Sequence, residues 1–363
     1  MKVRVVSDEG EFRAMRQAWD ALLGRSGTGS VFLTWEWLYT WWKSFGDDKQ
    51  LYIIVAGDDE TRAILPLYRR KVPGFVYPGS VKLEFLGTGE ERSDEVCSYM
   101  LDMIAEAGCE EQAYADIFAF LREVRPCDWD LMSLKFVSSR SGFIDAARRY
   151  FGEDAYTVHV EESFRNGITL LDDGWQGFYN GLGKKTRKMV RSGRRRLESM
   201  NGFSYRFLQR RDELSGMLDA FVKLSLKRWG GGGAFASPKF SSFQRAVCEE
   251  FADRGMLKLS LMEVGGRPVA GNLDYCYRDT VYGYQTAFDA GFSKNLSVGL
   301  LGMLYCIENA AEEGFRKYDW YRVARESYKE RFISCYEEIV NLVVARKSFY
   351  IALLGLLGRL KKL

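Results

Sequence analysis

A single histidine, His159, stands in a chain of 363 residues, so Ser–His and Cys–His nucleophile pairs have almost no material and a multi-histidine metal site is excluded. No metal ligands are assigned, and His159 reads as a structural residue. Proton transfer then falls to a carboxylate, a tyrosine or a water chain. Asp289, Glu326 and Tyr284 are the candidate groups. Asp289 follows a strand-like run, and its alternative role is an Asx-turn or helix cap bonding local N–H groups. Glu326 lies just before Tyr328-Lys329, where an exposed ion pair with Arg322 or Lys329 is the alternative. Tyr284 shares its strand with Tyr282 and Gln285, and alternation puts at least one of these into core packing.

Anion binding is the second chemistry the residues suggest. Lys294, Asn295, Leu296, Ser297, Val298 and Gly299 form a loop that feeds a helix straight after a strand, which leaves the first helical N–H groups free for a phosphate. Upstream, Lys184, Arg187, Lys188, Arg191, Arg194 and Arg195 fall on one face of a helix, while Met189, Val190 and Leu197 point away. Such a ridge is either a solvated face or one whose self-repulsion is relieved by an anion. A diphosphate, a polyanionic sugar carrier or a tRNA backbone would serve. Arg325, Tyr328 and Lys329 are a further basic cluster, for which strand-end ion pairs are one role and contact with a substrate phosphate or carboxylate is the role that the family resemblance described below implies.

Strands and helices must position these groups. Leu257–Val264 alternates and stops at Gly265-Gly266, a dipeptide suited to a two-residue hairpin. Pro268–Tyr277 returns, Val281–Phe288 makes a third strand, and a helix runs from Val298 to Glu313 with Gly314 as its C-cap. Lys317–Arg322 and Ile339–Ala345 read as later strands, and Leu208–Arg228 as a long helix. Gly230-Gly-Gly-Gly233 follows as a surface connector or a lid.

As a set these elements resemble the acyl-transfer half of the GNAT (N-acetyltransferase) fold. The resemblance narrows to FemAB-like, CelD-type bacterial acyltransferases, which often accompany cellulose and exopolysaccharide biosynthesis. It is carried by the basic segment from Lys184 to Glu198, then Lys227-Arg-Trp229, Gly265-Gly-Arg-Pro-Val-Ala270, Phe288-Asp289, Ser297-Val-Gly299, Phe315 to Asp319 and Tyr328-Lys329. At the amino-terminal end, Phe32-Leu-Thr-Trp-Glu-Trp-Leu38, Trp41-Trp42, Ile64-Leu-Pro-Leu67 and Phe85-Leu-Gly87 fit as well. The resemblance implies an α+β protein of two tandem GNAT-like domains, each a mixed, mainly antiparallel sheet flanked by helices. It also implies direct attack of an amine on an acyl donor, with acetyl-CoA or acyl-CoA as co-substrate and no tightly bound cofactor. The acceptor would be a small-molecule or sugar-linked amine on a cell-envelope or exopolysaccharide precursor. Asn295–Gly299 departs from the Gln/Arg-x-x-Gly-x-Gly/Ala signature of coenzyme-A loops, which keeps Fem-like transfer from aminoacyl-tRNA open. A non-catalytic GNAT scaffold in polysaccharide biosynthesis is the third reading.

Length fits two units, with expected domains at 1–160 and 161–346 and a tail at 347–363. Basic residues number 52 and acidic 49, too even for a surface that binds nucleic acid throughout. Seven cysteines without a Cys-x-x-Cys pair argue against a zinc ribbon and a disulfide framework, and point to the cytoplasm. The tail joins about ten apolar residues to Arg359, Lys361 and Lys362. It is too short to span a bilayer, and either docks on the protein or lies at the inner face of the membrane.

Overall fold

The computed structural model describes residues 1–72, 79–152 and 155–347. The chain divides into two compact units, Met1–Ser163 with the chain from Glu338 onward, and Phe164–Glu337.

In the first unit, Val3–Val6 (β1), Ile53–Gly57 (β3), Thr61–Leu65 (β4) and Ile104–Ala105 (β7) make an antiparallel sheet in the order β1-β3-β4-β7. A second sheet takes Gln50–Leu51 (β2), Leu67–Lys71 (β5), Val81–Phe85 (β6), Leu131–Ser138 (β8) and the strand Cys335–Arg346 (β15) in the order β15-β8-β6-β5-β2. Only β6 and β8 run parallel there, pairing Lys82 with Leu131 and Leu83 with Met132. The chain crosses between them through helix α4 (Glu110–Ala119), because parallel neighbours cannot be joined by a tight turn.

The second unit repeats this plan. Tyr156–Leu170 (β9) carries the chain into it, followed by Ser204–Phe207 (β10), Leu257–Val264 (β11), Arg267–Tyr277 (β12), Thr280–Phe288 (β13) and Lys317–Arg322 (β14), in the order β10-β11-β12-β13-β14-β9. The pair β13 and β14 is parallel, and helix α10 (Val298–Glu312) supplies its crossover. The two units thus have the tandem α+β architecture expected from the resemblance.

Local chemistry explains the elements. Gly265 and Gly266 take φ of 58° and 72°, which closes the β11–β12 hairpin on the pair Val264 and Arg267. Along β12 the side chains alternate: Ala270 and Asn272 face Gly302 of α10, whereas a Cβ on Gly271 would meet Phe221 of the helix Leu214–Arg228 (α8). The sheet is therefore covered on both faces. Helix α10 buries Val298, Leu301, Leu304 and Ile307 and is apolar nearly all round, as a helix enclosed by other elements should be. Helix α8 begins at Leu214, later than the Leu208 of the sequence reading, because Ser204–Phe207 pairs with β11 and Arg211–Glu213 forms a single 3-10 turn. The tail from Ser348 lies outside the described residues.

Candidate active cleft

Parallel pairing of β13 with β14 ends at Tyr282 and Asp319. Tyr321 then takes a left-handed φ of 57°, and β14 shifts register before Arg322 meets Asn166 of β9. A side chain holds that conformation only where its surroundings fix it. Here the buried Asp319 does so, accepting the Tyr321 N–H at 2.7 Å and the Asn166 amide at 2.6 Å.

The divergence opens a cleft of ≈ 200 Å³. One wall is β13 from Gly283 to Thr286 with Phe288, and the other is Trp320, Tyr321 and Arg322. Gly299 and Met303 of α10 stand between them, with Arg228, Trp229, Tyr328 and Lys329 around the mouth. Among the described residues three cations, Arg228, Arg322 and Lys329, line the cleft, and no carboxylate does. The Arg228 guanidinium donates to the Thr286 carbonyl at 2.6 Å and lies 4.2 Å from the ring centre of Phe288. Burial lowers its pKa. Burial, and then the charge of Arg228, also push the Lys329 ammonium below its ordinary range, with Asp319 opposing. Among the described residues Lys329 has no carboxylate partner. The start of α10 completes this electropositive surface, since Ser297 makes no side-chain cap bond to the first turn.

Residues 184–330 match the acetyltransferase (GNAT) domain family. They form a domain with a GNAT-like fold. No curated protein matches the chain in sequence. In fold it is similar to the crystal structure of FemX, with a TM-score of 0.64 and 12% identity over 98% of this chain and 99% of that one. It is also similar to L-PGS from Bacillus licheniformis (TM-score 0.55, 13% identity, 91% of each chain). The C-terminal domain of a putative lysylphosphatidylglycerol synthetase from Agrobacterium fabrum is a further likeness, with TM-score 0.57 and 10% identity over 96% of this chain and 95% of that one. At such identities the likeness is one of fold.

Within the GNAT-like domain the residues singled out from sequence are placed unevenly. Tyr284, Gly299, Tyr328 and Lys329 come together at the cleft. Tyr284 is buried, and its hydroxyl accepts from Gln244 at 2.7 Å. Asp289 is not among the lining residues: its carboxylate accepts from Lys227 at 2.8 Å, from Arg267, and from the Gly291 N–H at 3.0 Å. The last bond is the Asx-turn that stood as the alternative. The Lys227 bond foremost holds the carboxyl below its ordinary range, so Asp289 is a weak base. Glu326 and Arg325 are exposed, and Glu326 sits at a φ of 60°.

In the loop expected to seat a phosphate, Lys294, Asn295 and Ser297 are exposed, while Leu296 and Val298 belong to the apolar core. On helix α7 (Lys184–Glu198) the ridge divides. Arg187 turns in to the carbonyls of Asn180 and Leu182, both at 2.5 Å, and Arg194 pairs with Glu308 at 2.7 Å between the rings of Trp175 and Tyr305. Lys184, Lys188, Arg191 and Arg195 remain exposed at i, i+4, i+7 and i+11. Arg228, Tyr318 and Trp320 were not singled out for chemistry. Lys227-Arg-Trp229 carried a signal for the first and Phe315 to Asp319 for the second, but Trp320 needed the strand divergence.

Proposed function

We propose that the cleft of the GNAT-like domain moves an acyl group from acetyl-CoA or another acyl-CoA to an amine on a cell-envelope or exopolysaccharide precursor. The observation that carries this reading is the lining, among the described residues, of three cations and no carboxylate at the parting of two parallel strands, beside a helix start without a side-chain cap. Arg228, Arg322 and the first turn of α10 would meet the donor's phosphates. Beyond Tyr282 the edge of β13 is not paired with β14 among the described residues, and its backbone from Gly283 to Thr286 lines the cleft in which charge would develop on the acyl oxygen. Lys329, already deprotonating more readily than a free lysine, is suited to an anion contact or to a proton exchange near the attacking nitrogen.

The exposed stripe Lys184, Lys188, Arg191 and Arg195 favours a second reading, with an aminoacyl-tRNA as donor and its phosphates along α7. Equilibrium binding of acetyl-CoA and of aminoacyl-tRNA, each followed by transfer to labelled amines, separates the two. Acetyl-CoA binding that weakens in Arg228→Ala supports the first reading. Binding and turnover of aminoacyl-tRNA alone establishes the second, and neither donor turning over leaves a scaffold.

A further inference from the structure

We infer that Tyr318 and Asp274 form the proton-accepting pair of this cleft, with Tyr318 touching the amine and Asp274 acting through it as a positioning residue. The inference rests on the acyl-transfer reading. Tyr318 lines the cleft, and its hydroxyl donates to Asp274 Oδ2 at 3.1 Å. That hydroxyl passes close under Gly283, another lining residue, where an added Cβ would stand only 2.7 Å from it. Asp274 sits at a break in the β12–β13 ladder: Leu273 pairs with Gln285 and Tyr275 with Tyr282, which leaves Asp274 opposite Gly283 and Tyr284.

Asp274 is 1% exposed, and its Oδ1 has no hydrogen-bond partner among the described residues. A buried carboxylate oxygen without a partner is expensive, and asparagine would fill a purely structural position more cheaply. The groups that face Asp274 are the Cys306 thiol from α10, Tyr318 from β14, Lys258 from β11, the Tyr284 backbone from β13, Tyr205 from β10, and Tyr275 and Cys276 from its own strand. Lys258 is already paired with Glu313, and the Cys306 thiol, which bonds the Asp274 carboxyl as well, is buried and is not among the residues that line the cleft. Tyr318 is therefore the link from this carboxyl to the cleft. Burial raises Asp274 to about 7, where it exchanges its proton near neutrality.

In the step, the amine lone pair forms the C–N bond to the acyl carbon, and the bond from that carbon to the donor's sulfur or oxygen breaks with its electron pair. The nitrogen gives its proton to Tyr318 Oη as the Tyr318 proton moves to Asp274 Oδ2. The reverse relay delivers a proton to the leaving sulfur or oxygen and restores the pair.

Infrared titration of the protein alone reads the pair without any donor. The difference between wild type and Asp274→Asn should contain a carboxylic-acid band that disappears as pH rises through neutrality. In Tyr318→Phe that band should persist to higher pH, because a hydrogen bond to the anion is lost. With acetyl-CoA and an amine acceptor, Tyr318→Phe should lose about 100-fold in turnover, and Asp274→Asn should lose the acidic limb of the pH–rate profile. No titrating difference band, or a wild-type pH profile in a folded Asp274→Asn, overturns the pair while leaving acyl transfer standing. A wild type that turns over neither acetyl-CoA nor aminoacyl-tRNA overturns both.

Discussion

At the scale of single residues, charges paired with an opposite charge differ from charges that face the cleft without one. Asp289 has its carboxylate taken by Lys227, Arg267 and the Gly291 N–H, whereas Arg228 and Lys329 face a space without carboxylates. Arg228→Ala is expected to weaken acetyl-CoA binding about 10–100-fold in calorimetric titration, the worth of one or two charge-assisted hydrogen bonds. Buried carboxyls in the first unit also set a pH dependence of folding. Burial raises Asp102 from 3.8 to about 7, so the folded state binds a proton that the unfolded chain releases across that interval. Stability should be fullest below about 3.8 for this group and decline as pH rises toward about 7. Urea unfolding at several pH values should show a shallower decline in Asp102→Asn; an unchanged slope would refute the assignment. Asp289 acts with the opposite sign, because its pKa is lowered: its contribution is present above 3.8 and is lost as pH falls through the folded value.

At the scale of elements, α10 is both a core helix and a cleft wall. Leu304 is fully buried, and Leu304→Ala should cost about 2–5 kcal/mol in chemical denaturation. Gly299 cannot be tested by a bulky residue alone. An added Cβ would stand 2.5 Å from the Phe288 ring, which itself stacks on Arg228, so Gly299→Ala should displace both and weaken donor binding together with packing. Helix α7 gives a cleaner separation. Charge reversal at Lys184, Lys188 and Arg191 leaves the inward contacts of Arg187 and Arg194 intact. If aminoacyl-tRNA is the donor, the triple variant should bind it more weakly and with a flatter dependence on salt. Equal slopes for variant and wild type would assign the stripe to solvent.

At the scale of the whole molecule, the two units share a plan but differ in what fills it. In the first unit β6 and β8 also part after a short parallel pairing, and a cavity of ≈ 250 Å³ lies at their ends. Its lining mixes Glu90 and Glu95 with Arg92 and Lys135, unlike the wholly cationic set of the GNAT-like domain. Lys135→Ala should accordingly leave acetyl-CoA affinity unchanged. Among the described residues no helix is long and apolar enough to cross a membrane. The tail from Phe349 to Leu363 lies outside them. Flotation with anionic vesicles, comparing the full chain with one ending at Lys347, tests a reversible attachment that salt should weaken. Equal flotation of the two would remove the tail from any such role.

The sequence by itself determined what depends on neighbours along the chain. The glycine pair at 265–266, the alternation of β11 to β13 and the apolar period of α10 act through local φ preference and side-chain direction, so strand and helix could be read with ends within a few residues. The order of short motifs likewise carried the GNAT resemblance. Only the tertiary structure decided which polar groups are spent. In the sequence Arg187 and Arg194 look like binding residues and Asp289 like a proton acceptor, but their partners Asn180, Glu308 and Lys227 become known only when the helices and strands pack. Asp274 and Tyr318 lie 44 residues apart and meet because β12 breaks register where β13 leaves β14. Desolvation belongs to that assembled state alone, since a carboxyl is raised by everything packed around it and not by its sequence neighbours.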